Sequence, residues 1–166
     1  MNNINNDNTK VPEGWKRVRL GEVIEEPKKK PIVKKYYSKY ELLTVKLHLK
    51  GIGKTEKNPN WTLKGRPHFI RNAGEFLLGR QNFHNGGFGI LPYELHGLVA
   101  SNAISSFVSK NNDSLIYIFY SLSRDYLGKK YDSLMEGTGQ KEISNKKFLN
   151  LILILPPLPE QQKIAE

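Results

Sequence analysis

Over the first 110 residues the apolar positions fall in short runs, broken repeatedly by Gly, Pro and Asn. That is the pattern of short strands joined by turns. In "PEGWKRVRLGEVIEE", Trp15, Val18 and Leu20 predict a short strand that ends at Gly21. "KKKPIVKKYY" is basic and interrupted by Pro31, so it predicts a loop or edge segment. "YELLTVKLHL" alternates as a strand should, and "KGIGKTEKNPNWTLKGRP" is a long polar connection carrying Trp61. "GEFLLGRQNFHNGGFGILP" predicts a strand at Phe76 to Leu78, a polar loop from Arg80 to Asn85, a reversal at Gly86–Gly87 and a second strand. "HGLVASNAISSFVSK" supplies one or two more.

The period then changes. Leu115, Ile118, Phe119, Leu122 and Tyr126 recur at helical spacing, with Asn112 or Asp113 available to cap the start. After the glycine-bearing "EGTGQKEIS", Ser144 can cap a short helix over 145–150, and "LILIL" at 151–155 predicts a buried strand. Pro156, Pro157 and Pro159 punctuate the chain before a run of helix-favouring residues from Glu160 to Glu166, with Pro159 suited to a helix start. The order predicts an α+β fold, irregular and mostly antiparallel, with one principal amphipathic helix and the start of a second helix at its C-terminus. Residues 1–11 predict a disordered polar lead-in, 12–158 the domain and 159–166 the first part of a truncated helix.

Charge changes the picture more than composition does. Residues 1–80 hold 18 Lys and Arg against 8 Asp and Glu, whereas residues 81–166 hold 8 against 8. The whole net charge of +10 therefore lies in the first half, and residues 28–57 alone carry ten lysines against Glu41 and Glu56. Such a block attracts phosphate backbones or anionic lipid; the bland alternative is a solvated lysine-rich surface. With no cysteine, disulfides and thiolate metal sites are excluded. No apolar run reaches membrane-spanning length and "MNNINNDNTK" lacks the apolar core of a signal peptide, so the expected location is the cytoplasm.

Catalytic patterns are missing. His48, His68, His84 and His96 share no metal-ligand spacing. "KGIGKT" lacks the spacing of a phosphate-binding loop, and "NGGFGI" is not followed by a helix. There is no acidic-Pro-Pro-aromatic motif of an amino-methyltransferase. Asp113 and Glu142 are not followed by the lysine of a nuclease set. Patterns suited to nucleic acid are present instead. Tyr36, Tyr37, Tyr40, Trp61 and Phe69 are interleaved with the basic block. Lys54, Lys57 and Arg66 are candidate phosphate contacts, with Asn60 a further DNA-binding candidate among them. Arg80, Gln81, Asn82, His84 and Asn85 fall within six positions, and Arg, Asn and Gln are the side chains that pair bidentately with base edges. A solvated hairpin end would also look like this. In "GTGQK", Gly137 and Gly139 let backbone N–H groups approach an anion, and Thr138, Gln140 and Lys141 add donors, as a phosphate clamp requires; an ordinary loop before a helix is the alternative.

Taken in order, these pieces resemble a known family. "PEGWKRVRLGEV", "GEFLLGR", "GTGQKEIS" and above all "LNLILILPPLPEQQKIAE" are similar to the target recognition domain of the specificity subunit of type I restriction–modification systems, over roughly residues 12–166. The resemblance implies a non-catalytic reader of double-stranded DNA. The full subunit would carry two such domains separated by long antiparallel spacer helices that dock methyltransferase subunits and, through them, the restriction subunit. S-adenosylmethionine, ATP and Mg would enter only through those partners, and this chain would hold no cofactor of its own. On this reading the C-terminal stretch is the start of a spacer helix. With only Ile164 and Ala165 as apolar side chains after its first turn, it predicts a mainly monomeric chain that lacks most of the docking helix. Two alternatives stand beside this one: a recognition domain from a system with fused methyltransferase and nuclease, against which an initiating Met1 argues, and a basic protein-interaction module.

Overall fold

The computed structural model describes residues 10–33, 40–55, 65–135 and 142–165. In chain order, β1 (Lys16–Arg19), α1 (Leu20–Val23) and β2 (Ile24–Glu25) are followed by β3 (Leu43–Val45), β4 (Ile52–Lys54), β5 (His68–Ile70) and β6 (Phe76–Gly79). Then come β7 (Phe88–Ile90), β8 (Val99–Ser101), β9 (Ile104–Ser109), α2 (Leu115–Leu127), α3 (Asn145–Leu149), β10 (Ile152–Leu155) and α4 (Leu158–Ala165). The strands form small sheets: one in the order β2-β9-β6-β7, and the pairs β1-β10, β3-β4 and β5-β8. All these pairings are antiparallel, so the α+β expectation holds.

β6 is the strand on which the rest is built. Phe76 and Leu78 point into a large apolar cluster with Phe83, Phe88, Phe107, Tyr131 and Phe148. Leu77, on the opposite face, packs with Leu43, Leu91 and Ala100. Burial on both faces is why "FLL" reads as a continuous apolar run. The main cluster is largely aromatic. The Phe83 ring lies 4.6 Å from that of Tyr131 and meets Phe148 edge-on at 5.5 Å. Such pairings add to the area that the rings bury.

Several boundaries differ from expectation, each for a local reason. Gly21 sits inside α1 and does not end a strand. The Arg19 backbone N–H donates to Glu22 Oε1 (2.9 Å), and a Cβ on Gly21 would stand 3.3 Å from Leu149 of α3. The strand expected over residues 40–49 stops at Val45, because His48 and Leu49 both take a φ of 57° and turn the chain into β4. Helix α2 is capped by Ser114, whose hydroxyl accepts from the Tyr117 N–H (3.1 Å). Asn112 is left-handed (φ 61°) and Asp113 has another partner. Ser144 caps α3 as expected, accepting from Lys147 N (3.2 Å). β10 is buried on alternate residues only, Leu153 and Leu155 facing the core.

The last helix begins one residue earlier than its sequence suggests. The Pro157 carbonyl accepts from the N–H groups of Glu160 (2.9 Å) and Gln161 (3.1 Å). Its first turn is fastened to the body of the protein. Gln161 is 1% exposed. Its Nε2 donates to Asp113 Oδ1 (2.9 Å) and to the Pro156 carbonyl (3.0 Å), while its Oε1 accepts from the Ser114 N–H (2.8 Å). The neighbouring Glu160 accepts from Trp15 Nε1 (2.9 Å). Among the described residues no helix is long and apolar enough to cross a membrane.

Gln161→Ala strips partners from Asp113, the Pro156 carbonyl and the Ser114 N–H, and leaving buried groups unsatisfied costs about 1–3 kcal/mol. Gln162→Ala, at an exposed position, should stay within about 0.5 kcal/mol of the parent. Urea denaturation of both compares them directly, and equal losses would contradict the packing. Gly86 has φ 68°, and a Cβ there would lie 3.0 Å from both Leu49 N and the Tyr126 ring; Gly97 has φ 85° with nothing within 4 Å. Both Ala variants carry backbone strain of about 1–3 kcal/mol. Only Gly86→Ala adds a clash, so its melting temperature should fall further than that of Gly97→Ala.

Candidate nucleic-acid interface

β6 runs directly into the segment that the sequence marks as a candidate base reader. It is not an open loop. Arg80–Asn85 is a 3₁₀ turn, kinked at Asn82 (φ −124°), and Phe83 in its middle is completely buried in the aromatic core. Gly86 N donates to Phe83 O (3.0 Å) and Gly87 N to Asn82 O (2.8 Å), closing the turn before β7. With Phe83 directed inward, Gln81 and Asn82 are exposed, whereas Arg80, His84 and Asn85 are half-buried. The segment is thus a rigid platform that presents two carboxamides to solvent. Each can offer a donor and an acceptor side by side, the pairing that the N6/N7 edge of adenine accepts.

Arg80 differs from its two neighbours. Its guanidinium pairs with Glu142 (2.7 Å), and its carbonyl accepts from the Ile143 N–H (3.1 Å). Both side chains of the ion pair are largely shielded, at 25% and 29% exposure. Arg80 therefore joins this turn to the segment leading into α3. Removing its side chain would leave Glu142 without that partner, so an Arg80 substitution mixes a structural effect with any effect on a ligand. Lys54 is exposed and paired with Glu41, and Arg66 is exposed on the approach to β5. Lys57, Asn60, Thr138, Gly139, Gln140 and Lys141 lie outside the described residues.

A cleft beside Arg80, of about 330 Å³, was not foreseen from sequence. Glu26, Lys29, Phe69, Arg71, Ser106 and Asn145 help to line it. Arg71 is 5% exposed; it donates to Ser106 Oγ (2.8 Å) and the Ile104 carbonyl (2.5 Å), and lies 5.3 Å over the Phe69 ring. Burial lowers its pKa below the usual arginine value, with Glu75 and Glu26 acting in the opposite sense. Lys29 pairs with the buried Glu75, and Asn145 donates to Glu26 (2.6 Å). Each cation around this cleft thus has a carboxylate close by. The arrangement holds β5, β6 and β9 together and is poorly suited to a free phosphate. Nothing in the spacing of these residues announces it in the sequence. Among the described residues no group of three or more His, Asp or Glu could hold a metal ion.

Comparisons with known proteins bear on the chain as a whole. Across 165 residues it is 26% identical to a protein described as the type I restriction enzyme MjaVIII specificity subunit, from Methanocaldococcus jannaschii; the match takes in 94% of this chain and 39% of that one. The HsdS subunit from Thermoanaerobacter tengcongensis has the same fold, with a TM-score of 0.69 at 19% identity over 95% of this chain and 42% of that one. The S subunit of a type I restriction-modification system from M. genitalium aligns with a TM-score of 0.52 at 13% identity, over 92% of this chain and 37% of that one. The chain thus spans about two fifths of the length of these relatives. Residues 12–166 match the model of the type I restriction modification DNA specificity domain, which takes in every element from β1 to α4, and the chain belongs to that family.

Proposed function

We propose that this chain reads the sequence of double-stranded DNA and has no catalytic step of its own. The observation that carries the reading is the 3₁₀ turn after β6. A wholly buried Phe83 holds it rigid while Gln81 and Asn82 stand exposed beside each other. Polar side chains on a rigid platform lose little freedom on meeting a base edge. The basic excess of residues 1–80 supplies the sequence-independent attraction. Lys54 and Arg66, on the described surface, act as phosphate contacts that position the duplex, and Lys57, Asn60 and the 138–141 segment extend that role.

Membership of the specificity-domain family supports the wider setting. In the whole protein this domain directs adenine methylation by a methyltransferase subunit and, through it, restriction by a further subunit. S-adenosylmethionine, ATP and Mg belong to those partners. The working location is the cytoplasm, and the isolated chain is a monomer that reads part of a site.

Selection of duplexes from a random pool, followed by sequencing, tests the reading. The native chain should enrich one short sequence. On that duplex Gln81→Ala and Asn82→Ala should each cost about 1–3 kcal/mol and relax preference at particular base pairs. An equal loss on every duplex would reassign the two amides to phosphate contact, and no enrichment at all would overturn sequence reading.

A further inference from the structure

The tip of the β3–β4 hairpin sits against the platform that carries Gln81 and Asn82. Lys50 N donates to Leu47 O (3.2 Å), closing a two-residue turn whose central residues, His48 and Leu49, are both left-handed with a φ of 57°. A hairpin turn with two such residues normally takes Asn-Gly, because glycine and asparagine tolerate this conformation. His and Leu do not, and the strain persists only where surrounding contacts impose it. Here they do. His48 N donates to Asn85 O (2.7 Å) and Leu49 N to Gly86 O (3.0 Å), while His48 Nδ1 lies 3.1 Å from the Tyr126 hydroxyl. Both strained peptide N–H groups are thus spent on fastening the tip to the recognition turn.

Leu49 packs against the main apolar cluster, but core burial does not explain the rest of the tip. Lys46, Leu47, His48 and Lys50 are all exposed, and residues 42–55 contain lysine but no carboxylate. We infer that the hairpin tip is a second DNA-contacting element, held in register with Gln81 and Asn82: Lys46 and Lys50 meet phosphates, and Leu47 and His48 face the base edges between them. An apolar side chain can meet a thymine methyl there, and an imidazole can exchange a hydrogen bond with a base. This inference rests on the duplex-DNA reading above.

Two variants of the full chain test it, with the selected duplex as probe. Lys46→Gln with Lys50→Gln should lower the slope of log affinity against log salt by about two units, since each lost phosphate contact removes about 0.9. His48→Asn supplies a residue that the turn geometry prefers and leaves the core packing of Leu49 in place. It should raise the melting temperature yet weaken binding to the selected duplex at least fivefold. If the native chain selects its duplex while the lysine variant keeps the native slope and the turn variant keeps the native affinity, the hairpin tip is not a contact and the duplex reading survives. If the native chain selects no duplex, both readings fail.

Discussion

The carboxamide of Gln161 is the interaction on which the arrangement of the chain ends depends. A primary amide buried to this degree must find partners for its donor and acceptor, or the fold loses the desolvation cost of each. Gln161 finds them on two segments: the Pro156 carbonyl of the proline turn, and the Asp113 carboxylate and Ser114 N–H that lead into α2. The directionality of those bonds fixes where α4 begins and the line along which it leaves. Trp15 adds a further tie through Glu160, and β1 pairs with β10 immediately before the turn. A helix as short as α4 is marginal alone in water, so it is this fastening that gives it a defined place.

From that point a continuous packed path leads to the 3₁₀ turn after β6. β10 follows directly on α3, and Phe148 of α3 meets Phe83 edge-on in the core. Phe83 is the inward-facing residue of the turn that displays Gln81 and Asn82. A close-packed aromatic core resists deformation, so the relation between turn and helix is set by packing and not by a linker.

Much of this fold was legible in the sequence. The period changes marked the strands of the first two thirds, the α2 stripe and the Ser144 cap. The failures came where one residue serves a distant partner. Gly21 suggested a strand end, but its lack of a side chain accommodates Leu149, more than 120 positions away. Asp113 suggested a helix cap, but its carboxylate is taken by Gln161, and Ser114 caps in its place. The alternation of 40–49 gave no warning that His48 and Leu49 would accept left-handed backbone, since bonds to Asn85 and Gly86 decide that conformation. The candidate site was legible as a set of residue types and not as geometry. Phe83 stood out as the one apolar member of 80–85, yet only the structure shows that it is buried in the core, that Gln81 and Asn82 are exposed and that Arg80 is shielded and ion-paired.

Packing makes the 3₁₀ turn after β6 and the last helix one rigid body. The chain contains no cysteine, so spin labels can be placed cleanly at Gln81→Cys and Lys163→Cys, both exposed positions. Pulsed dipolar spectroscopy should give one narrow distance distribution, which broadens when Gln161→Ala is added to the labelled chain. A broad distribution in the chain with Gln161 intact would contradict the account.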